Sequence, residues 1–289
     1  MKNIFRFLAK HKLAILAAIC CLVVQAYCDL ALPTYTSDVL NVGLQQGGIA
    51  DGVMDTVRAD SLETLELFMT DADAQTVEQA YTQPNASGVR TLRDDADRET
   101  LNNILRKPEV TVYQMRSSDK TKGAPEQIKA AVAAGAMTKE QLISQMDEAF
   151  SEMGDMTDTF LTEIAVNYVS AEYQAQGIDL NQVRNAYLFA VGGKMLLMAV
   201  IMAIAAILVG LIASVTSSKV GRDLRTSIYE KVMQFTDAEM EKFSTASLIT
   251  RSTNDIQQIQ MVSVMLLRMV LYAPIVAIGG IIMVVKTGS

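Results

Sequence analysis

The 289-residue chain is half hydrophobic, carries a formal net charge of −7, and contains one histidine and three cysteines. The negative charge argues against nucleic-acid binding, which requires a basic face. Cys20, Cys21 and Cys28 all fall in one apolar segment, and His11 lies among lysines, so neither a disulfide framework nor a metal-ligand cluster is evident. We therefore expect no metal site, and we find no catalytic constellation.

Charge and hydropathy divide the chain sharply. Residues 38–184 contain 25 acidic and 12 basic residues, a net charge of −13, whereas the remainder carries +6. Positive charge beside an apolar span marks the cytoplasmic side of a membrane. The acidic block is therefore predicted to lie outside the cytoplasm, between membrane spans that have basic inner flanks.

The segments follow from this pattern in chain order. The first apolar run, Leu13–Leu32, has about 20 residues and is long enough to cross a bilayer. A cleaved signal peptide is the alternative, but Ala31-Leu32-Pro33 is a poor cleavage site. We predict a cytoplasmic N-terminus at 1–12, transmembrane helix 1 with an outer extension at 13–49, an extracytoplasmic domain at 50–184, transmembrane helix 2 at 185–218, a cytoplasmic helical loop at 219–260, transmembrane helix 3 at 261–285, and an outer end at 286–289.

The predicted fold class is a mainly α membrane protein. It has three transmembrane helices with long cytoplasmic extensions and an α-rich (α+β) extracytoplasmic domain between the first two. Within that domain most segments read as helices closed by glycine or proline, including one over Asp94–Leu105. The alternating run Glu109–Met115 predicts a strand.

The inner loop 219–260 has helical spacing on both sides of a predicted turn. Apolar residues recur at steps of four from Val220 to Val232, so helix 2 is expected to continue into the cytoplasm. The chain is then expected to turn near 237–243 and return as a second helix. Ser244, Thr245 or Ser247 would cap the returning helix, because a hydroxyl accepts its free amide protons.

The sequence of this loop resembles the first intracellular loop of bacterial ABC exporters. The similarity is carried by GRDLRTSIYEKV, FSTASLITRSTNDIQQIQ and RMVLYAPIVAIGGIIMVV, and by LALPTYTSDVLNVGLQQGGI near the N-terminus. It covers both ends of the chain and leaves the middle unmatched. The resemblance implies a permease of the multidrug, lipid or peptide type with a large extracytoplasmic insertion.

The same resemblance implies functional residues within the loop. A coupling helix is expected near 236–243, where Asp237, Glu239, Met240 and Phe243 would contact an ATPase; the alternative is that Met240 and Phe243 only pack the helical hairpin. Arg251, Asn254 and Asp255 are expected to make contacts between helix extensions. An exposed pair of Arg251 with Asp255, four residues apart, is the alternative reading of those charges.

Partners and cofactors are also implied by the resemblance. The expected partners are a nucleotide-binding domain, the remaining transmembrane helices, a second half-transporter in a heterodimer, and membrane lipid, in a bacterial plasma (inner) membrane. The chain contains no G-x-x-x-x-G-K-[ST] phosphate loop, so no cofactor is expected in it, and ATP and Mg would bind in the complete transporter. A chain that stops after the third span is expected to be truncated or a fragment.

Among the polar residues inside the predicted spans, Gln25, Asp29 and Lys194 are the candidate functional residues, and Arg268 is expected to lie toward the inner interface with its charge reaching water. Asp29 and Lys194 are expected near the outer boundary, where they either form an ion pair, with Gln25 adding a hydrogen bond, or reach outer water separately.

Two other classes of function remain open. A membrane-anchored sensor would use the extracytoplasmic domain to bind a ligand. The third span argues against this class, because such receptors usually continue into the cytoplasm after the second span. A tethered enzyme would need a nucleophile–base or metal set, and the sequence shows none.

Overall fold

The computed structural model describes residues 11–118, 121, 123–152, 158–237 and 244–287. Most of them are helical, as the sequence predicts. The chain divides into two compact units, which we call the acidic unit (Ser37–Val191) and the apolar unit (Met1–Thr36 with Gly192–Ser289).

The acidic unit contains a short hairpin and a set of helices. Its elements are β1 (Thr56–Arg58), α2 (Ala59–Glu66), α3 (Asp71–Ala80), β2 (Val89–Thr91), α4 (Arg98–Ser117), α5 (Ala124–Ala133), α6 (Lys139–Glu152) and α7 (Asp158–Ala175). The strands β1 and β2 pair antiparallel, with Val57 opposite Arg90. The α-rich composition with a small sheet therefore agrees with the sequence prediction.

The predicted strand over Glu109–Met115 is wrong, because this segment lies inside α4. The helix continues through Pro108 to Ser117, well past the predicted end at Leu105. Leu101, Leu105 and Val112 are buried along one helical face, and α4 packs against α7. Burial of a helical face thus outweighs the strand propensity of the β-branched residues.

A buried ionised carboxylate connects α7 to the hairpin. Glu172 is almost fully buried and accepts hydrogen bonds from the backbone N–H and guanidinium of Arg58, from Ser61 Oγ at 2.8 Å, and from Gln176 Nε2. Burial opposes ionisation, but the hydrogen bonds from Arg58 and Ser61 prevail and lower the pKa of Glu172. The pair joins residues 114 positions apart and so fixes the hairpin on the helices.

A second buried carboxyl has the opposite environment. Glu109 in α4 is fully buried, and neither of its oxygens has a hydrogen-bond partner in the described part of the chain. Desolvation, with repulsion from Asp51, raises its pKa well above the ordinary value. The backbone of Gly52 lies directly against this carboxyl, and a Cβ there would collide with Glu109 Oε2. A side chain at position 52 would therefore force the Glu109 carboxyl to shift.

The apolar unit contains long helices. They are α1 (Lys12–Asp38), which runs into a π-helical segment (Val39–Gln45) in the acidic unit; α8 (Leu180–Met233), which begins in the acidic unit; α9 (Thr245–Thr250); a π-helical segment (Arg251–Asp255); α10 (Ile256–Met265); a second π-helical segment (Leu266–Val270); and α11 (Tyr272–Thr287). In the described residues, three continuous helical stretches are long and apolar enough to span a membrane: Lys12–Gln45, Leu180–Met233 and Ala246–Val285.

These stretches agree with the three predicted spans, and α8 continues past its apolar part as expected. The returning helix α9 is capped by Ser244, whose Oγ accepts from the N–H of Ser247 at 3.2 Å. The helices α8 and α10 are in contact: Ser217 Oγ donates to the carbonyl of Gln260, and a Cβ at Gly221 would collide with the Gln260 side chain.

The Glu109 carboxyl should make the acidic unit less stable as the pH rises. Above about pH 4.5, the ordinary value for glutamate, the unfolded chain releases this proton and the folded chain retains it, so unfolding becomes more favourable until the folded-state pKa is passed. Glu109→Gln should remove that part of the pH dependence. Amide hydrogen exchange of the acidic unit in the full chain, followed from pH 4.5 to 8, measures it.

The matched control is Glu126→Gln, which removes an exposed carboxylate from α5 and should leave the wild-type pH slope unchanged. Three other titratable groups interact electrostatically with Glu109 and are retained in both variants: Asp51, Tyr81 and Tyr168. If the Glu109→Gln protein shows the same pH slope as the wild type, the carboxyl is not held neutral in the folded unit.

Candidate functional site

A cavity of about 630 Å³ lies within the apolar unit, bordered by α1, α8 and the segment from α10 to α11. Its wall is largely aliphatic and thioether, with Leu22, Val209 and Met265 as representative residues. Methionine adapts to varied neighbours, so such a wall accommodates ligands of differing shape. The polar side chains on this wall are Gln25, Arg268 and Tyr272.

The Asp29 carboxylate is held by a tyrosine on another helix. Tyr272 Oη donates to Asp29 Oδ2 at 2.8 Å and joins α1 to the first residue of α11. Gln25, one turn from Asp29 on the same helix, lies beside the same hydroxyl. A hydrogen bond to an ionised group is stronger than a neutral one, and few competing water molecules are present at membrane depth.

The expected ion pair of Asp29 with Lys194 is absent. Among the ion pairs between described residues none joins them, and Lys194 is exposed on α8. Asp29 instead pairs with Tyr272, which lies near the middle of the predicted span 261–285 and not at its outer end. A carboxylate at that depth needs a donor, and Tyr272 supplies it.

The structure describes only part of the predicted coupling site. Asp237 is exposed, four residues past the end of α8, whereas Glu239, Met240 and Phe243 lie outside the described residues. The role of these four residues therefore stays a prediction.

The other predicted group, Arg251, Asn254 and Asp255, lies in a π-helical segment, and all three side chains are exposed. No ion pair between Arg251 and Asp255 is present among the described residues. Their contacts with other helices also stay a prediction.

Sequence reasoning missed Tyr272 and gave Arg268 no role beyond the inner interface. Tyr272 reads as an ordinary aromatic residue of an apolar span, and its partner lies 243 positions away. A useful signal was present, because Arg268 and Tyr272 are four residues apart and Gln25 and Asp29 are also four apart. Each pair shares one helical face, so the two helices each carry a polar face within an apolar span.

The comparisons with known proteins concern mainly the second half of the chain. Residues 159–288 match the family described as ABC transporter transmembrane region. The segment includes most of α7, all of α8 and the whole third helical stretch. These helices are therefore similar to an ABC transporter membrane domain, as the sequence resemblance predicts.

Individual relatives of this chain are also named as ABC transporter proteins. An uncharacterized ABC transporter ATP-binding protein of Mycobacterium bovis is 40% identical over 86 residues, which is 30% of this chain and 14% of the relative. An uncharacterized ABC transporter ATP-binding protein of Bacillus subtilis, YfiB, is 32% identical over 127 residues, 43% of this chain and 22% of the relative. The chain thus matches less than a quarter of the length of these relatives. No solved structure matches it.

Removing the Tyr272 hydroxyl should destabilise the apolar unit. Tyr272→Phe leaves the Asp29 carboxylate without its donor, and side-chain hydrogen bonds between membrane helices contribute about 1 kcal/mol. We expect a lower unfolding temperature for the full chain in lipid nanodiscs. Because the two groups form one interaction, the Tyr272→Phe/Asp29→Asn double variant should be destabilised by less than the sum of the single variants.

Tyr27→Phe provides the matched control, because Tyr27 is on the same helix as Asp29 but is 66% exposed. That variant should unfold like the wild type. Strictly additive effects of the substitutions at Asp29 and Tyr272 would contradict the pairing.

Proposed function

We propose that this chain forms part of the membrane domain of an ATP-driven ABC exporter and contributes to its substrate path. The observation that carries the proposal is the family match over 159–288, which encloses two long apolar helices and the loop that connects them. The cavity between the helices supports the same reading, because a transport path needs an adaptable surface within the membrane.

The proposed topology places the N-terminus and 219–260 in the cytoplasm and 50–184 outside, in a bacterial plasma membrane. The charge distribution supports it, because the basic residues flank the spans on one side and the acidic residues cluster between two spans. The large exposed apolar surface supports contact with membrane lipid and with further transmembrane helices.

Transport would be driven by a nucleotide-binding domain that docks on the inner loop. The relatives in Mycobacterium bovis and Bacillus subtilis are both named ATP-binding proteins, which supports a partner of this kind. ATP and Mg would bind in that domain, and movement would reach the helices through 236–243. The resemblance of the loop motifs supports a heterodimer with a second half-transporter.

A membrane-anchored sensor is the second candidate. It is favoured by the acidic unit, which has its own hydrophobic core and an ion pair with a buried carboxylate and so resembles an independent ligand-binding domain. The third helical stretch and the family match over 159–288 favour the exporter, because a sensor requires neither.

Substitution in the predicted coupling helix should separate ATP hydrolysis from transport. In membranes that contain this chain with its nucleotide-binding partner, Met240→Ala/Phe243→Ala should reduce ATP-dependent substrate movement into inside-out vesicles and leave nucleotide binding intact. Truncating buried interface anchors costs about 2 kcal/mol or more, so docking should weaken by more than tenfold.

The matched control is Met233→Ala, which truncates an exposed methionine in the last turn of α8, outside the predicted coupling helix. It should retain transport. If the double variant transports normally, with unchanged stimulation of ATP hydrolysis by substrate, the proposed coupling role of 236–243 is wrong.

A further inference from the structure

Arg268 is a cation that lines the cavity of the apolar unit without a protein partner. Its side chain is exposed, and within the described part of the chain its guanidinium makes no hydrogen bond or ion pair. Asp29, one turn from the cavity-lining Gln25, accepts its hydrogen bond from Tyr272 and does not line the cavity. The cavity therefore presents one positive group, the neutral polar side chains of Gln25 and Tyr272, and an otherwise apolar wall.

The backbone around Arg268 is specialised as well. It is the central residue of the π-helical segment Leu266–Val270, which interrupts the third helical stretch between α10 and α11. Insertions of this kind change the direction of the side chains that follow, and they are frequent at functional sites. Pro274 follows within the first turn of α11 and has no N–H to continue a regular ladder, which gives a local reason for the interruption.

An unpaired charge within an apolar span is costly and in most cases functional. An arginine also recognises carboxylate, sulfate and phosphate oxygens well, because its planar fork donates two parallel hydrogen bonds. Beside Arg268 the wall offers Met261, Met265 and Met269, which are soft and apolar. The complementary ligand therefore has an anionic group at one end and an apolar body at the other.

We propose that this cavity binds an amphipathic organic anion, with the negative group on Arg268 and the apolar body against the three methionines. The role of this anion as a transported substrate rests on the proposed exporter function, whereas its binding does not. Either a water-soluble amphiphile or an anionic membrane lipid has the required chemistry.

The test is photo-crosslinking of the full chain in phosphatidylcholine nanodiscs with a diazirine-bearing C12 carboxylate, read out by mass spectrometry of the labelled peptides. Labelling should fall on 261–272 and should be competed by dodecanoate, and at least tenfold less effectively by dodecylammonium of the same length. Arg268→Gln should weaken binding of the probe by about tenfold or more, and Arg268→Lys should restore part of it, because the charge returns without the fork.

Lys194→Gln is the matched control, since it removes one positive charge from the same unit at a residue that does not line the cavity. It should bind the probe like the wild type. The unfolding temperature checks that the Arg268→Gln protein is folded. Equal competition by dodecanoate and dodecylammonium, or unchanged binding by a folded Arg268→Gln protein, would overturn the proposal and leave Arg268 as a residue that only reaches toward the membrane surface.

Two further measurements separate the possible sources of the anion and the two proposals. Phosphatidylglycerol added to the nanodiscs should suppress labelling if the ligand is an anionic lipid, and should leave labelling unchanged if it is a soluble amphiphile. ATP-dependent movement of the probe is measured independently in vesicles that contain this chain with its nucleotide-binding partner. Specific binding without such movement would count against the exporter function alone, and movement that persists in Arg268→Gln would count against this site alone.

Discussion

The rest of the structure depends on what surrounds the apolar helices, because their exposed surfaces are too apolar for water. Only 11% of the most apolar window of Leu180–Met233 is buried within the protein, and the same fraction holds for Ala246–Val285. Such surfaces are stable in hydrocarbon or against other helices, but not in water. Once they lie in a bilayer, every polar group along them needs a partner, which explains the hydrogen bond from Tyr272 to Asp29.

Buried polar groups in the acidic unit also need partners, and a carboxyl group that lacks them is kept neutral. Glu172 is buried and ionised, because Arg58, Ser61 and Gln176 satisfy its oxygens. Glu109 is buried without such partners, so its neutral form is favoured. Arg268 in the apolar unit differs from both glutamates, because an arginine stays charged at any physiological pH. Its guanidinium lines a cavity, where a ligand from outside the chain can bind it.

Much of the fold was predictable from the sequence, because length and hydropathy suffice to find a membrane helix. The three spans, the continuation of α8 and the Ser244 cap all follow from local patterns. The strand predicted over Glu109–Met115 is a helix in the structure. Alternating β-branched residues favour a strand, but burial of one helical face outweighs that preference here. The partner of Asp29 could not be found from local sequence, since it depends on which faces of two distant helices meet.

The topology is the central claim, and cysteine accessibility in intact cells tests it most directly. In a background where Cys20, Cys21 and Cys28 are replaced by alanine, Ser118→Cys and Thr253→Cys each introduce one thiol at an exposed position. The account predicts that an impermeant maleimide labels the Ser118→Cys protein in intact cells and labels the Thr253→Cys protein only after permeabilisation. Labelling of the Thr253→Cys protein but not the Ser118→Cys protein in intact cells would contradict it.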